Sequence, residues 1–311
     1  EARAILQRVG TVETSRTEAE LPVSEMIEQA GRADAIIPMG GHRVGAPVID
    51  AASRLRVIAV AAAGYNLVDV AAATRRGVLV TNTPGVLTET TADMAWALML
   101  AVARRVAEGD RFVRAGRWTG VYWSLMLGAD VHGATLGIIG MGRIGKAIAR
   151  RARGFDMALL YHNRQPDHEA DGLGATYRTK ADLLRESDFV VLAVPLGPET
   201  RHLIGAPELA LMKRTAFLVN VARGSVVDEA ALVEALQSRR IAGAGLDVFE
   251  DEPKVHPGLT ELESVVLTPH VGSASRATRL KMATTAAENC VAALQGRRPT
   301  NLVNPGAWRS T

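Results

Sequence analysis

Thr135-Leu136-Gly137-Ile138-Ile139-Gly140-Met141-Gly142-Arg143-Ile144-Gly145 is an apolar run of strand length that ends in Gly140-x-Gly142-x-x-Gly145. It passes directly into Lys146-Ala147-Ile148-Ala149-Arg150-Arg151-Ala152, which reads as helix. A strand, a glycine turn and a helix in that order form the setting in which this glycine spacing marks a dinucleotide-binding turn. Gly140 permits the tight turn, Gly142 lets backbone approach a pyrophosphate, and Gly145 lets the helix lie close on the strand. The free N–H groups and positive dipole end of the helix then face the diphosphate.

Working outward, short apolar runs alternate with turns and helical stretches along the whole chain. Before the glycine turn, 33–38, 55–60 and 77–82 read as strands, and 47–53 and 66–75 as helices. After it, 157–161, 189–195, 216–221, 242–248 and 264–269 read as strands, which with 135–139 makes six. Helical patterns at 180–186 and 229–238 lie between them, and an Ala-rich helix runs over 276–296. Strands spaced by helices predict parallel sheets with crossover connections, in a doubly wound α/β fold. Thr90-Thr91-Ala92-Asp93 is read as the cap of a long helix, apolar nearly all round and therefore buried.

The 311 residues carry a formal charge of +3 and are 48% hydrophobic, which fits an ordinary globular protein of about two domains. Arginines are dispersed rather than striped with aromatics, so no nucleic-acid partner is expected. The longest apolar run, 94–103, is far short of a membrane span, no stretch reads as a signal peptide, and no metal is expected. A single cysteine, Cys290, fits a reducing, cytoplasmic location. The chain opens at Glu1 without Met, and its first residues read as helix rather than strand, so a short N-terminal piece is expected to be missing. Arg117-Trp118-Thr119-Gly120-Val121-Tyr122-Trp123 gathers three aromatics in an irregular arm, of a kind that anchors on a partner subunit.

Three apolar strands end on chemistry-bearing residues: Asn220-Val221-Ala222-Arg223-Gly224, Leu246-Asp247-Val248-Phe249-Glu250-Asp251-Glu252-Pro253 and Thr268-Pro269-His270-Val271-Gly272-Ser273. Strand carboxyl ends in such a sheet converge on the ligand cleft. Their types suit carbonyl reduction: His gives a proton near neutral pH, a carboxylate orients it, and Arg forks onto a substrate carboxylate while polarising the carbonyl. The backbone of Ala61-Ala62-Ala63-Gly64-Tyr65-Asn66, directly after a strand, is a further ligand candidate. The candidate dinucleotide contacts are Gly140, Gly142, Arg143, Ile144 and Gly145, with Thr91, Asn163, Arg164 and Pro195. An NAD enzyme carries a ribose-binding acid about 20 residues beyond the glycines. Here Tyr161-His162-Asn163-Arg164-Gln165-Pro166 has His162 in that position, and Arg164 and Asn163 suit a 2′-phosphate. NADPH is the expected cofactor, with NADH possible.

With these motifs, 33–305 resembles the NAD(P)-dependent D-2-hydroxyacid dehydrogenases, and most the glyoxylate/hydroxypyruvate reductase branch. The resemblance implies a Rossmann-type nucleotide domain at 91–279 and a smaller flavodoxin-like substrate domain built from 1–90 and 280–311. It implies His270 as acid/base, Glu252 as its carboxylate partner, and Arg223 on the substrate carboxylate and keto oxygen. Ala63 and Gly64 would hold the same carboxylate, Met39 and Ser273 would shape the pocket, and Asp247 would contact the nicotinamide carboxamide. The substrate would be a small 2-keto or 2-hydroxy acid and the assembly a homodimer. The branch usually has Gly-Val-Gly where Ala62-Ala63-Gly64 stands, and the usual opening strand of the small domain is absent. A phosphoglycerate-type or other D-2-hydroxyacid dehydrogenase is the alternative enzyme. A dinucleotide-sensing binding protein, like the family's transcriptional corepressors, is the alternative of another class. Formate dehydrogenases of the superfamily carry Gln where Glu252 stands, which argues against that reading.

Overall fold

A computed structural model describes residues 1–15, 17 and 20–309. The chain divides into two compact units, Glu1–Leu87 with Ala274–Thr311, and Thr88–Ser273.

The first unit holds a parallel sheet of β1 (Ala35–Ile36), β2 (Val57–Ala59) and β3 (Leu79–Thr81), paired in that order. Alternation of side chains along each strand sends neighbouring residues to opposite faces, and both faces are apolar. Ile58 and Val80 pack with Val48, Ile49 and Ala72 of the helices on one side. Val57, Ala59 and Leu79 pack with Ala286, Cys290 and Ala293 of the C-terminal helix Arg276–Leu294 on the other. Cys290 is a buried core residue, and burial pushes its thiol up to about 11. The helix expected over 66–75 begins only at Val70, because the Asp69 carboxylate accepts the Ala72 N–H and caps it there.

The second unit holds a seven-stranded, all-parallel sheet. Its strands are β4 (Thr135–Ile139), β5 (Ala158–His162), β6 (Ala175–Tyr177), β7 (Phe189–Leu192), β8 (Phe217–Asn220), β9 (Gly243–Leu246) and β10 (Val265–Leu267). The spatial order is β10-β9-β8-β7-β4-β5-β6. The order reverses between β4 and β7, and ligands bind at the carboxyl ends of strands at such a switch point. One residue set (Leu136, Ile138, Tyr161, Val191, Val219) and the alternate set (Ile139, Leu160, Val190, Leu192, Leu218) build separate cores on the two faces.

Two expectations need correction. Six strands were read after residue 130, and the sheet has a seventh, β6: it is a three-residue edge strand with a polar, exposed centre at Thr176 and no apolar run to announce it. Thr90 and Thr91 do not cap the long helix but lie inside it. The turn at Gly85, with φ +85°, starts the chain turning early, and the helix already runs from Thr88 to Ala103. That helix is buried as expected, with Trp96 and Met99 in the core. It lies against the helix that follows the glycine turn: the Trp96 indole N–H donates to Ile148 O, and Arg151 pairs with Asp93 and Glu89.

Candidate active site

The glycine turn is built as a cradle for an anion. Gly140 sits at φ +100°, and a Cβ there would stand 2.7 Å from the Ala193 carbonyl carbon at the end of the neighbouring strand β7. A Cβ on Gly145 would collide with the Gly140 carbonyl oxygen, so only glycine lets this helix start so close to its strand. A Cβ on Gly142 would meet nothing within 4 Å. Gly142 and Arg143 are exposed at the start of the ten-residue helix Arg143–Ala152, whose first turn has no acidic side chain and whose last has Arg150 and Arg151. Unpaired first-turn N–H groups, a positive dipole end and room beside Gly142 fit a dinucleotide diphosphate.

The end of β5 braces this cradle. The Asn163 side-chain oxygen accepts the Met141 N–H at 2.7 Å, which leaves the Asn163 amide nitrogen as its donor end. His162 donates from Nδ1 to Arg178 O at 3.0 Å, so its position at the strand end holds no carboxylate. Arg164 is 93% exposed and 3.9 Å from Glu199, itself 80% exposed. Asp167 points away from the turn, onto Lys146 of the glycine-turn helix at 2.8 Å, and this pairing holds its carboxyl below the ordinary range.

At the ends of β8, β9 and β10 the charged residues interlock. The Asn220 side chain donates to Arg223 O and accepts from the Ala222 N–H, which fixes the turn that presents Arg223. Burial pulls the Arg223 guanidinium down, and the charge of Glu252 opposes this. Gly224 is next: a Cβ here would lie inside the Phe249 carbonyl group and against Glu250 N, so the Arg223 turn and the acidic loop touch backbone to backbone. In that loop Glu252 accepts the Phe249 N–H on Oε1 at 3.0 Å and meets His270 Nδ1 with Oε2 at 2.7 Å. Burial pushes the Glu252 carboxyl up. The hydrogen bond and charge of His270, the Phe249 N–H and the Arg223 charge outweigh it, and the net direction is down. A carboxylate only accepts, so Nδ1 carries the hydrogen and Nε2 is left to exchange a proton.

His270 has a left-handed backbone, φ +52°, and Asp247 holds it there. The Asp247 carboxylate accepts from Thr268 Oγ1 at 2.6 Å, Val271 N at 2.9 Å and Gly272 N at 2.7 Å, and its carbonyl accepts from His270 N. Both carboxylate oxygens of Asp247 are thus engaged by the turn that carries His270, a role its sequence position did not reveal. Thr91 is buried near the same turn, its methyl 3.6 Å from where a Cβ on Gly272 would stand, and Ser273 follows half-buried. Pro195 is exposed just after β7, with Thr200 Oγ1 donating to its carbonyl.

The remaining expected residues lie in the first unit. Ala63 and Gly64 form the bend after β2, half-buried, and their N–H groups have no hydrogen-bond partner among the described residues. Asn82 fixes that bend by donating from Nδ2 to Ala63 O at 2.7 Å, and Asn289 in turn donates to Asn82 O at 3.2 Å. Met39, 54% exposed, follows β1.

A seven-stranded doubly wound sheet, a glycine-turn cradle and a histidine–carboxylate pair beside an arginine define a nicotinamide-dinucleotide-dependent oxidoreductase. Residues 96–272 match the family described as D-isomer specific 2-hydroxyacid dehydrogenase, NAD binding domain. The chain is 52% identical over 298 residues to the glyoxylate reductase of Thermococcus kodakarensis, covering 94% of this chain and 90% of that one. It superposes on a protein of Thermus thermophilus with a TM-score of 0.92 at 46% identity, covering 97% and 96% of the two chains. A second solved structure is the NADPH-dependent glyoxylate/hydroxypyruvate reductase of Sinorhizobium meliloti in complex with NADP and malonate. It matches with a TM-score of 0.84 at 38% identity, over 91% of this chain and 88% of that one. The chain belongs to the D-2-hydroxyacid dehydrogenase family, and its cofactor is NAD(P).

Proposed function

We propose that this chain reduces glyoxylate or hydroxypyruvate to the 2-hydroxy acid with NADPH, in the D configuration wherever C2 becomes stereogenic. The observation that carries the reading is the His270–Glu252 pair at 2.7 Å, on the same strand edge as Arg223 and the glycine turn. When bound, a reduced nicotinamide would supply the hydride that the keto carbon takes up. His270 Nε2 gives its proton to the keto oxygen, and the Glu252 carboxylate stabilises the imidazolium that does so. Arg223 forks onto the substrate carboxylate and polarises the keto group. Ala63, Gly64, Met39 and Ser273 are assigned to substrate binding on the resemblance to the family alone. Thr91, Arg143, Ile144, Pro195 and Asp247 are assigned to the dinucleotide.

The preference for NADPH rests on the end of β5. His162 stands where a ribose-binding acid would repel a 2′-phosphate. Arg164 and the Asn163 amide are available donors, since an ion pair as solvated as Arg164–Glu199 is weak. Two further readings concern the setting of the enzyme. The 117–123 arm, with Trp123 99% and Val121 89% exposed, is assigned to a homodimer interface, and the single cysteine to a cytoplasmic location.

The test is kcat/KM for NADPH and NADH with glyoxylate, hydroxypyruvate and pyruvate, in wild type and Arg164→Ala. Loss of the phosphate contact should cost about 1.5–3 kcal/mol with NADPH, or roughly 10- to 150-fold, and little with NADH. Equal losses, or a wild-type preference for NADH, would sink the cofactor reading. No turnover of any 2-keto acid would sink the reductase.

A further inference from the structure

Glu229 opens the helix Glu229–Gln237, yet it does not cap that helix: Asp228 does, accepting the Ala231 N–H at 3.0 Å. Glu229 is instead 7% exposed, a carboxylate taken out of water beside the acidic loop that follows β9. Burying a carboxylate is costly unless a donor meets it. The donor here is the backbone N–H of Glu250, at 2.7 Å from Glu229 Oε1. The preceding N–H, of Phe249, goes to Glu252. The peptide between Phe249 and Glu250 therefore has Glu229 bonded to its N–H and Gly224 pressed against its carbonyl. Two residues further on is Glu252, facing His270.

We propose that Glu229 is a positioning residue for the acid/base pair: it pins the 249–250 peptide onto Gly224 and so holds Glu252 at His270. The proposal rests on the reading of His270 and Glu252 as the proton-transfer machinery. Burial pushes the Glu229 carboxyl up while the Glu250 N–H draws it down, and the charged groups around it are Glu250, Asp251 and His256. The side chain of Glu250 is engaged elsewhere, with Arg201 and His202, so it does not substitute for Glu229 at the backbone.

The test is a double-mutant cycle in the full chain, with kcat measured at saturating NADPH and glyoxylate. Misplacing a reacting group by about an ångström costs up to about a hundredfold. Glu229→Ala should lower kcat about 10- to 100-fold with NADPH affinity within about twofold. Glu229→Gln, whose amide oxygen still accepts the Glu250 N–H, should stay within about threefold of wild type. In a Glu252→Ala background, Glu229→Ala should cost less than about twofold, because a residue acting only through the Glu252 side chain has nothing left to position. Losses that multiply in the double variant, or a Glu229→Gln as impaired as Glu229→Ala, overturn the proposal. If Glu229→Ala does not fold, Glu229→Asp, a methylene short of the Glu250 N–H, takes its place in the same cycle. His270→Gln is the control for the underlying reading: it should lose two to four orders of magnitude in kcat. If it keeps more than about a tenth of wild-type turnover, the proton-transfer reading fails whatever the cycle shows.

Discussion

Gly224→Ala adds one methyl group where the structure has no space for it. The new carbon would overlap the Phe249 carbonyl carbon and oxygen and crowd Glu250 N, all backbone atoms that cannot rotate away. Non-bonded carbons pack at about 3.5–4 Å, so the turn and the loop must part by on the order of an ångström. That motion separates two backbone segments with fixed cargo: Arg223 adjoins the glycine on one, and Glu252 stands two residues past Glu250 on the other. Overpacking of this kind costs about 1–3 kcal/mol of stability, which a folded domain can absorb. Catalysis is less tolerant, and an ångström of misplacement at the reacting groups corresponds to as much as about a hundredfold in kcat. The glycine cradle is on other strands, β4 and β5, so NADPH affinity should hold. The assay pairs steady-state kcat with cofactor affinity from fluorescence titration and with Tm. The expected result is a folded enzyme with normal cofactor affinity and kcat reduced about 10- to 100-fold. A folded variant with kcat within about threefold of wild type would refute the claim that this contact sets the geometry of the site.

Other substitutions probe the remaining pieces. Arg223→Lys keeps the charge but not the planar fork, so KM for the keto acid should rise and kcat should fall together; a change confined to cofactor kinetics would remove Arg223 from the substrate. The Glu252 carboxyl is held below its usual 4.5, so its ionised form stabilises the folded protein. That contribution is full above the unfolded value and lost as pH falls through the folded one. The wild-type Tm should therefore drop more steeply than that of Glu252→Gln below about pH 4.5, and parallel curves would contradict the pairing. Trp123→Ser should weaken self-association in sedimentation velocity, since the residue is 99% exposed within its own protomer; an unchanged sedimentation profile would exclude the arm as an interface.

The sequence carries the nucleotide sheet where apolar runs are long and glycines mark the turn. β4 and its helix could be placed because strand, turn and helix cues coincide within eighteen residues. β6 could not, because an edge strand of three residues leaves too short a pattern. The threonines at 90 and 91 look like a cap when read locally, but the turn upstream at Gly85 decides where the helix begins. Arg223, Glu252 and His270 announce themselves by ending apolar strands. The residues that hold them in place do not: Gly224 matters because a loop 25 positions later lies on it, and Asp247 because it gathers three donors from 268–272. Such contacts join positions far apart in the chain, and no local pattern encodes them.

The sheet of the first unit has one face sealed by a helix from the far end of the chain. Val57, Ala59 and Leu79 emerge early in synthesis, but Ala286, Cys290 and Ala293, which cover them, come after the whole of Thr88–Ser273. At 5–20 residues per second the ribosome needs roughly ten to forty seconds to cross that interval. By its end the continuous unit has all its strands and can close, while the split unit has waited throughout with an apolar sheet face bare. The nascent protein is therefore vulnerable at its older end. A ribosome stalled with the chain emerged past residue 273 but short of 286 would hold a finished nucleotide-binding unit tethered to an uncovered sheet, the state in which this chain most needs a chaperone.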